Sequence, residues 1–180
     1  MLTPMSPEER TLLESLDRLV HSSDLQRALQ PIVSRVRQQL SAQSEAIMAW
    51  EPIPMSILRD ELPPGIRSGW VFILREGVNT GAERHPNSHQ RMMSFIGTGD
   101  MQTRAAADRS WTSNVLVSDP TKPLEQRWIS IPQNVWHQPV TPLGEDWVVV
   151  SFHTVPAEEL IEERPTAEDG STTKQMRYVG

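Results

Sequence analysis

The sequence contains no cysteine. Disulfide frameworks and thiolate metal sites are excluded, and any metal ion would be held by nitrogen and oxygen ligands. Basic residues never run longer than two in a row, and the formal charge is −6. Nucleic-acid binding rests on a concentrated cationic patch, so nucleic acid is not an expected partner. No apolar run approaches the about 20 residues of a membrane-spanning helix. The N-terminus turns polar within a few residues, so neither signal peptide nor membrane anchor is expected, and the expected location is cytoplasmic. Apolar content is low at 37%, and nine glycines are outnumbered by fifteen prolines. Proline is excluded from helix interiors and central strands, which favours a loop-rich β fold over a helical bundle. No internal repeat is visible.

At 180 residues the chain suits one domain with a sizeable core. Residues 1–45 read as a helical extension. Ser6, Pro7 and Glu9 form a helix start of the S-x-x-E type, followed by an apolar stripe of Leu12, Leu13, Leu16, Leu19 and Val20. His21 stands at the helix end, where a donor complements exposed carbonyls. A second start at Ser23–Gln26 opens a helix to about Leu40, with Pro31 expected to kink or restart it. These amphipathic faces need either a sheet to cover or a partner chain, and a homodimer is the default expectation. From residue 46 to 155 the period changes to short apolar runs separated by turns: Ala46–Trp50, Trp70–Leu74, Met92–Ile96, Asn114–Val117, Arg127–Ile131 and Trp147–Thr154. This pattern belongs to an antiparallel sandwich or barrel, with the last run central. Residues 156–180 turn acidic and read as one short helix, Pro156–Glu163, and a mobile tail.

Histidines cluster where the barrel would close. His85 and His89 lie within Gly77–Gly97, and His137 lies within Ile131–Thr141. Glu83 and His85 share a face if the segment is extended. Two imidazoles and a carboxylate suit Fe(II), Mn(II), Ni(II) or Zn(II), with positions left open for water or substrate. Gly77, five residues, Glu83-Arg84-His85, four residues, Gln90, six residues and Gly97 follow one another in this order. Pro132-Gln133-Asn134, two residues, His137, three residues and Thr141 follow later. Both spacings resemble the two motifs of the cupins. Glu83 stands where the family's first histidine belongs, and Gln90 where its glutamate belongs. Asn134 replaces a glycine, Thr141 an asparagine and Gln126 the leading glycine.

The resemblance spans roughly residues 68–155. It implies a mainly β chain, a double-stranded β-helix (jelly-roll barrel), to which the readings above add two N-terminal helices and a short C-terminal helix or tail. It also implies a divalent metal on Glu83, His85, Gln90 and His137, with His89 an alternative ligand; Fe(II) comes first, then Mn, Ni or Zn. Each of these residues also has a plain structural reading, as a hydrogen-bonded histidine, a turn residue or half of a surface ion pair. Trp136, Arg91 and His153 are candidates for the substrate pocket; Arg91, with Arg75 and Arg104, could clamp a carboxylate or simply be surface charge. A Glu83 left free of metal would serve as general base if burial raised its pKa.

Two functions are therefore expected. One is a metal-dependent small-molecule enzyme, an oxidoreductase of the dioxygenase type or a lyase or isomerase. The other is a non-catalytic cupin that binds or senses a small organic ligand.

Overall fold

The computed structural model describes residues 5–58, 62–105, 110–167 and 172–178. Two helices come first, α1 (Pro7–Val20) and α2 (Ser23–Ala42). Then follow β1 (Met48–Pro52), the short α3 (Met55–Leu58) and β2 (Ser68–Leu74). After them come β3 (Gln90–Ile96), β4 (Thr98–Arg104), β5 (Val115–Val117), β6 (Trp128–Ile131), β7 (Trp136–Val140) and β8 (Trp147–His153). The chain closes with β9 (Ile161–Pro165) and β10 (Thr173–Arg177). No helix among the described residues is long and apolar enough to cross a membrane.

One antiparallel sheet has the order β1-β2-β8-β3-β6, and a second has β5-β4-β7. Strand β8 is central and buried along its whole length, as its composition predicts. Alternation decides what each strand residue faces. Val71, Ile73, Met93, Val148, Val150 and Phe152 point out of the barrel and pack under the helices. Trp70, Phe72, Leu74, Met92, Trp147 and Val149 point inward and fill the lumen with Met101 and Leu116 of the second sheet.

The stripe on α1 and the matching face of α2 are buried against this sheet. The chain thus covers both helices itself, and the stripe supplies no ground for a dimer. Two details differ from expectation. Ser22, not Ser23, caps α2, accepting from Leu25 N, and the helix runs through Pro31 without a break. Ser6 caps α1 as expected, but the Glu9 side chain does not turn back to complete a capping box. It reaches the barrel, where Arg91 donates to both carboxylate oxygens at 2.8 and 2.9 Å and Ser130 Oγ at 2.6 Å.

Two turns further along α1, Asp17 accepts from both terminal nitrogens of Arg127 and, at 2.8 Å, from Trp128 Nε1. Asp17→Ala should cost about 2–4 kcal/mol, because it strands the buried Arg127 charge and an indole N–H together. A urea melt showing Asp17→Ala as stable as the wild type would mean that α1 does not dock through this carboxylate.

The second sheet is longer than its three strands. Glu83 and His137 exchange both backbone hydrogen bonds at 2.8 Å, and Arg84 and Glu163 do so at 3.0 and 2.9 Å. The β9–β10 hairpin is thereby stitched to the rim of the barrel. A short helix and a mobile tail are expected from the sequence here; the structure has one 3-10 turn, Ala157–Glu159, and this hairpin. Its strands escape the pattern because they carry charged residues, not apolar ones, on their inner face.

Candidate metal centre

Glu83, His85 and His137 each offer one ligand atom, and these atoms lie within 4.8 Å of one another in the buried lumen. The backbone bridge sets Glu83 opposite His137, and alternation puts His85 on the same face as Glu83. Gly77 and Gly97, which bracket this stretch, have φ of +69° and +85°. Such values are strained for any residue with a Cβ. Asn134, at the glycine position of the second motif, has φ 63°. Asparagine tolerates the left-handed region, which accounts for the exchange.

Both imidazoles have their tautomer set by the backbone. His85 Nδ1 lies 2.9 Å from the carbonyl of Ile161 and His137 Nδ1 3.1 Å from that of Val135. A carbonyl only accepts, so each Nδ1 carries the proton, and in the neutral ring Nε2 keeps a free lone pair. Glu83 Oε1 lies 3.4 Å from His137 Nε2, beyond an ordinary hydrogen bond, and His137 Nε2 has no hydrogen-bond partner. Gln90 Oε1 is likewise buried without a partner, while Gln90 Nε2 donates to Ser151 Oγ at 3.1 Å.

Burial lowers the His85 pKa to about 4, aided by the neighbouring His137. Burial also pushes His153 well below its ordinary value. The His153 ring stands edge-on to His85 at 5.0 Å between centroids, held by Ser88 and Ser151 at 3.2 and 3.0 Å. Burial would raise Glu83, but His137, Arg164 and His85 outweigh it and hold the carboxyl below its ordinary pKa. A Glu83 raised toward neutrality as a general base is therefore corrected. The raised carboxyl is Glu162, pushed to about 7 by burial and by the charge of Glu83.

Three other expectations fail on alternation. His89 and Arg91 take the helix side of β3, opposite Gln90 and Met92. His89 Nε2 contacts Ser130 Oγ at 2.7 Å, at the wall of a separate cavity of about 540 Å³ that Glu9 and Trp128 also line. It is not a ligand. Arg91 is the partner of Glu9, not a substrate clamp. Trp136 precedes His137 in β7 and so faces away from the lumen, beneath the Arg84 guanidinium at 4.6 Å. Arg75 caps α2 through the carbonyls of Leu40 and Gln43, and Arg104 lies over Trp111.

The sequence reading missed Glu162, Arg164 and Tyr178. Arg164 donates to Glu83 Oε2 at 2.6 Å, to Glu162 Oε1 at 2.5 Å and to the Thr80 carbonyl at 2.7 Å. Tyr178 donates to Glu162 Oε2, and its ring packs on Trp50, Trp70, Phe72 and His85. The one available signal was alternation: Glu162 and Arg164 are two apart and share a face once the segment is extended.

No protein-family model matches the sequence, and a search of curated proteins finds no match. Among solved structures, CapF with the inhibitor 3-isopropenyl-tropolone superposes with a TM-score of 0.50 at 14% identity, over 64% of this chain and 30% of that one. The chain has the cupin fold. The coconut allergen cocosin (TM-score 0.47, 16% identity, 65% and 27% of the two chains) is also similar to this chain. So is oxalate oxidase in complex with the substrate analogue glycolate (0.45, 17%, 61% and 53%). The chain thus spans less than a third of CapF and about half of the oxalate oxidase chain.

Proposed function

We propose that this cupin holds a divalent transition-metal ion on Glu83, His85 and His137, with Gln90 Oε1 as a further oxygen donor, and is a metal-dependent enzyme for a small substrate. The observation that carries this reading is the pair of orphaned buried acceptors, His137 Nε2 and Gln90 Oε1, beside an ionised carboxylate. Each such atom left unpaired costs about 1–3 kcal/mol, and a cation among them removes that cost. Two imidazoles whose Nδ1 atoms donate to backbone carbonyls, leaving each Nε2 to an ion in place of a proton, are what a metal site requires. The donor set suits Fe(II) first, then Mn(II), Ni(II) or Zn(II). When bound, such an ion supplies Lewis-acid polarisation or, as Fe(II), dioxygen activation.

The chain's own residues orient and dry the site. Met92, Met101, Trp147 and Val149 wall the lumen, which leaves about 20 Å³ free, room for one water-sized group. The Tyr178 ring also lines that space, so a substrate of more than a few heavy atoms would have to shift one of the lining side chains. The alternative, a non-catalytic cupin that binds or senses a small organic ligand, would use this same space.

Elemental analysis of untagged protein after loading and gel filtration tests the reading. About one ion per chain is expected in the wild type and almost none in a His85→Ala/His137→Ala variant that still melts cooperatively. A folded wild type that stays empty after incubation with each of the four ions would sink it.

A further inference from the structure

We propose, resting on that metal-site reading, that Arg164 is the positioning residue of the centre and that the β9–β10 hairpin is part of the site. Arg164 reaches the lumen because the hairpin pairs with residues 83–85: Glu163 lies opposite Arg84, so Glu162 and Arg164 share the inner face with Glu83. Three acceptors (Glu83 and the Thr80 carbonyl in the β2–β3 connection, and Glu162 in β9) fix the guanidinium plane. With Oε2 of Glu83 held by this fork, only Oε1 is presented to the side where His137 Nε2 stands 3.4 Å away. A planar, fixed donor suits this task and a flexible ammonium does not. The hairpin orients a second ligand as well, because the Ile161 carbonyl that sets the His85 tautomer opens β9. Two of the three ligands therefore take their aim from a segment outside the barrel proper, and ion binding and hairpin docking stabilise each other.

A guanidinium beside a divalent ion also repels it, so the sign of the effect has to be decided. Glu162 decides it. Its carboxylate pairs with Arg164 at 2.5 Å and so offsets the guanidinium charge beside the ion. Arg164→Lys keeps the positive charge and loses only the planar fork, so the change in affinity it shows is the loss of orientation. Partners that orient ligands in this way are typically worth about 10- to 100-fold in metal affinity.

The test uses the full chain with Co(II) and Mn(II) as probes, read by calorimetric titration and by the visible absorption of bound Co(II). Arg164→Ala should bind about 10- to 100-fold more weakly and show a shifted Co(II) band. Co(II) should slow amide exchange in β9 and β10 of the wild type. Arg84→Ala is the control. It removes a hairpin-to-barrel ion pair of the same kind, with Glu163 at 2.8 Å, yet touches none of the three ligands. Its affinity should stay within about twofold of wild type, since it leaves that orientation intact. If Arg164→Ala fails to fold, Arg164→Lys keeps the charge but loses the fork and should still bind more weakly by about tenfold. Wild-type affinity in whichever Arg164 variant folds, or equal losses at positions 84 and 164, overturns the inference and leaves the metal centre standing. A wild type that binds neither probe overturns both.

Discussion

Gly99→Ala is expected to destabilise the protein by about 3 kcal/mol, the upper end for an overpacked core, and to lower Tm by roughly 6–12 °C. Gly99 lies in β4, across the lumen from the first sheet, and the Trp147 ring occupies the place a Cβ on it would take. A Cβ there would stand 2.1, 2.3 and 2.4 Å from three ring carbons, far inside contact distance. Trp147 cannot give way, since it is fully buried and its Nε1 donates to Ser94 Oγ at 2.9 Å, which in turn donates to the Gly97 carbonyl at 2.8 Å. Either the two sheets separate or the indole abandons that chain. Gly65→Ala serves as comparison: its φ is +87° but nothing lies within 4 Å of the added atom, so it pays only the backbone strain of about 1–2 kcal/mol. Thermal melts in which Gly99→Ala loses no more than Gly65→Ala would show that the sheets do not face each other in this register.

The second large effect is acid destabilisation of the metal-free protein. Histidines usually gain pKa on folding through a partner, but here burial does the reverse. His85 and His89 are lowered from 6.5 to about 4, His89 by burial and then by Arg91, and His153 is lowered well below 6.5. Below pH 6.5 the unfolded chain binds protons that the folded chain refuses, so stability is fully present above 6.5 and is lost as pH falls toward 4. Glu162 works the other way. Its folded value near 7 favours the native state at low pH and weakens it as pH rises from 4.5 through 7. His85 and Glu162 are shifted by similar amounts in opposite directions and largely cancel between pH 4.5 and 6.5. His153 and His89 remain, and stability should fall by on the order of 2–4 kcal/mol from pH 7 to 4.5. Below that, the lowered Glu9, Asp17 and Glu83 carboxyls add to the loss. Urea midpoints at pH 7, 5.5 and 4.5, taken with a chelator, measure this. His89→Gln, remote from the centre, should flatten the slope by about one proton. A midpoint that does not move over this range would mean that these rings are solvated.

The fates of Gln90 and Arg91 show how far the sequence can be read. Gln90 sits at a position that the cupin spacing marks and Arg91 one residue after it, and both are polar at the head of a mostly apolar strand. Only their parity separates them: Gln90 enters the lumen, and Arg91 crosses to Glu9 on α1. The spacing reveals a strand but not which helix will lie across its outer face, so Arg91 and His89 look like pocket residues until α1 is in place. Trp136 and His137 repeat the lesson in β7. Strand β4 was missed for a related reason. Its inward positions are Gly99, Met101 and Thr103, small or polar residues that make no apolar alternation.

From the chain alone came the helix starts at Ser6 and near residue 22, the central place of Trp147–His153, the left-handed Asn134 and the grouping of Glu83, His85 and His137. These follow from local rules of capping, periodicity, turn conformation and motif spacing, which act over a few residues. Only the tertiary structure decided that Glu9 and Asp17 clamp α1 to the barrel, and that Glu162, Arg164 and Tyr178 return from the end of the chain to the lumen. The physical reason is that these contacts join residues some 80 to 110 positions apart, or 16 in the case of Tyr178 and Glu162, through charges and hydrogen bonds. Such partners leave no period in the sequence, and their meeting depends on register, in which one residue of slip sends every side chain to the opposite face.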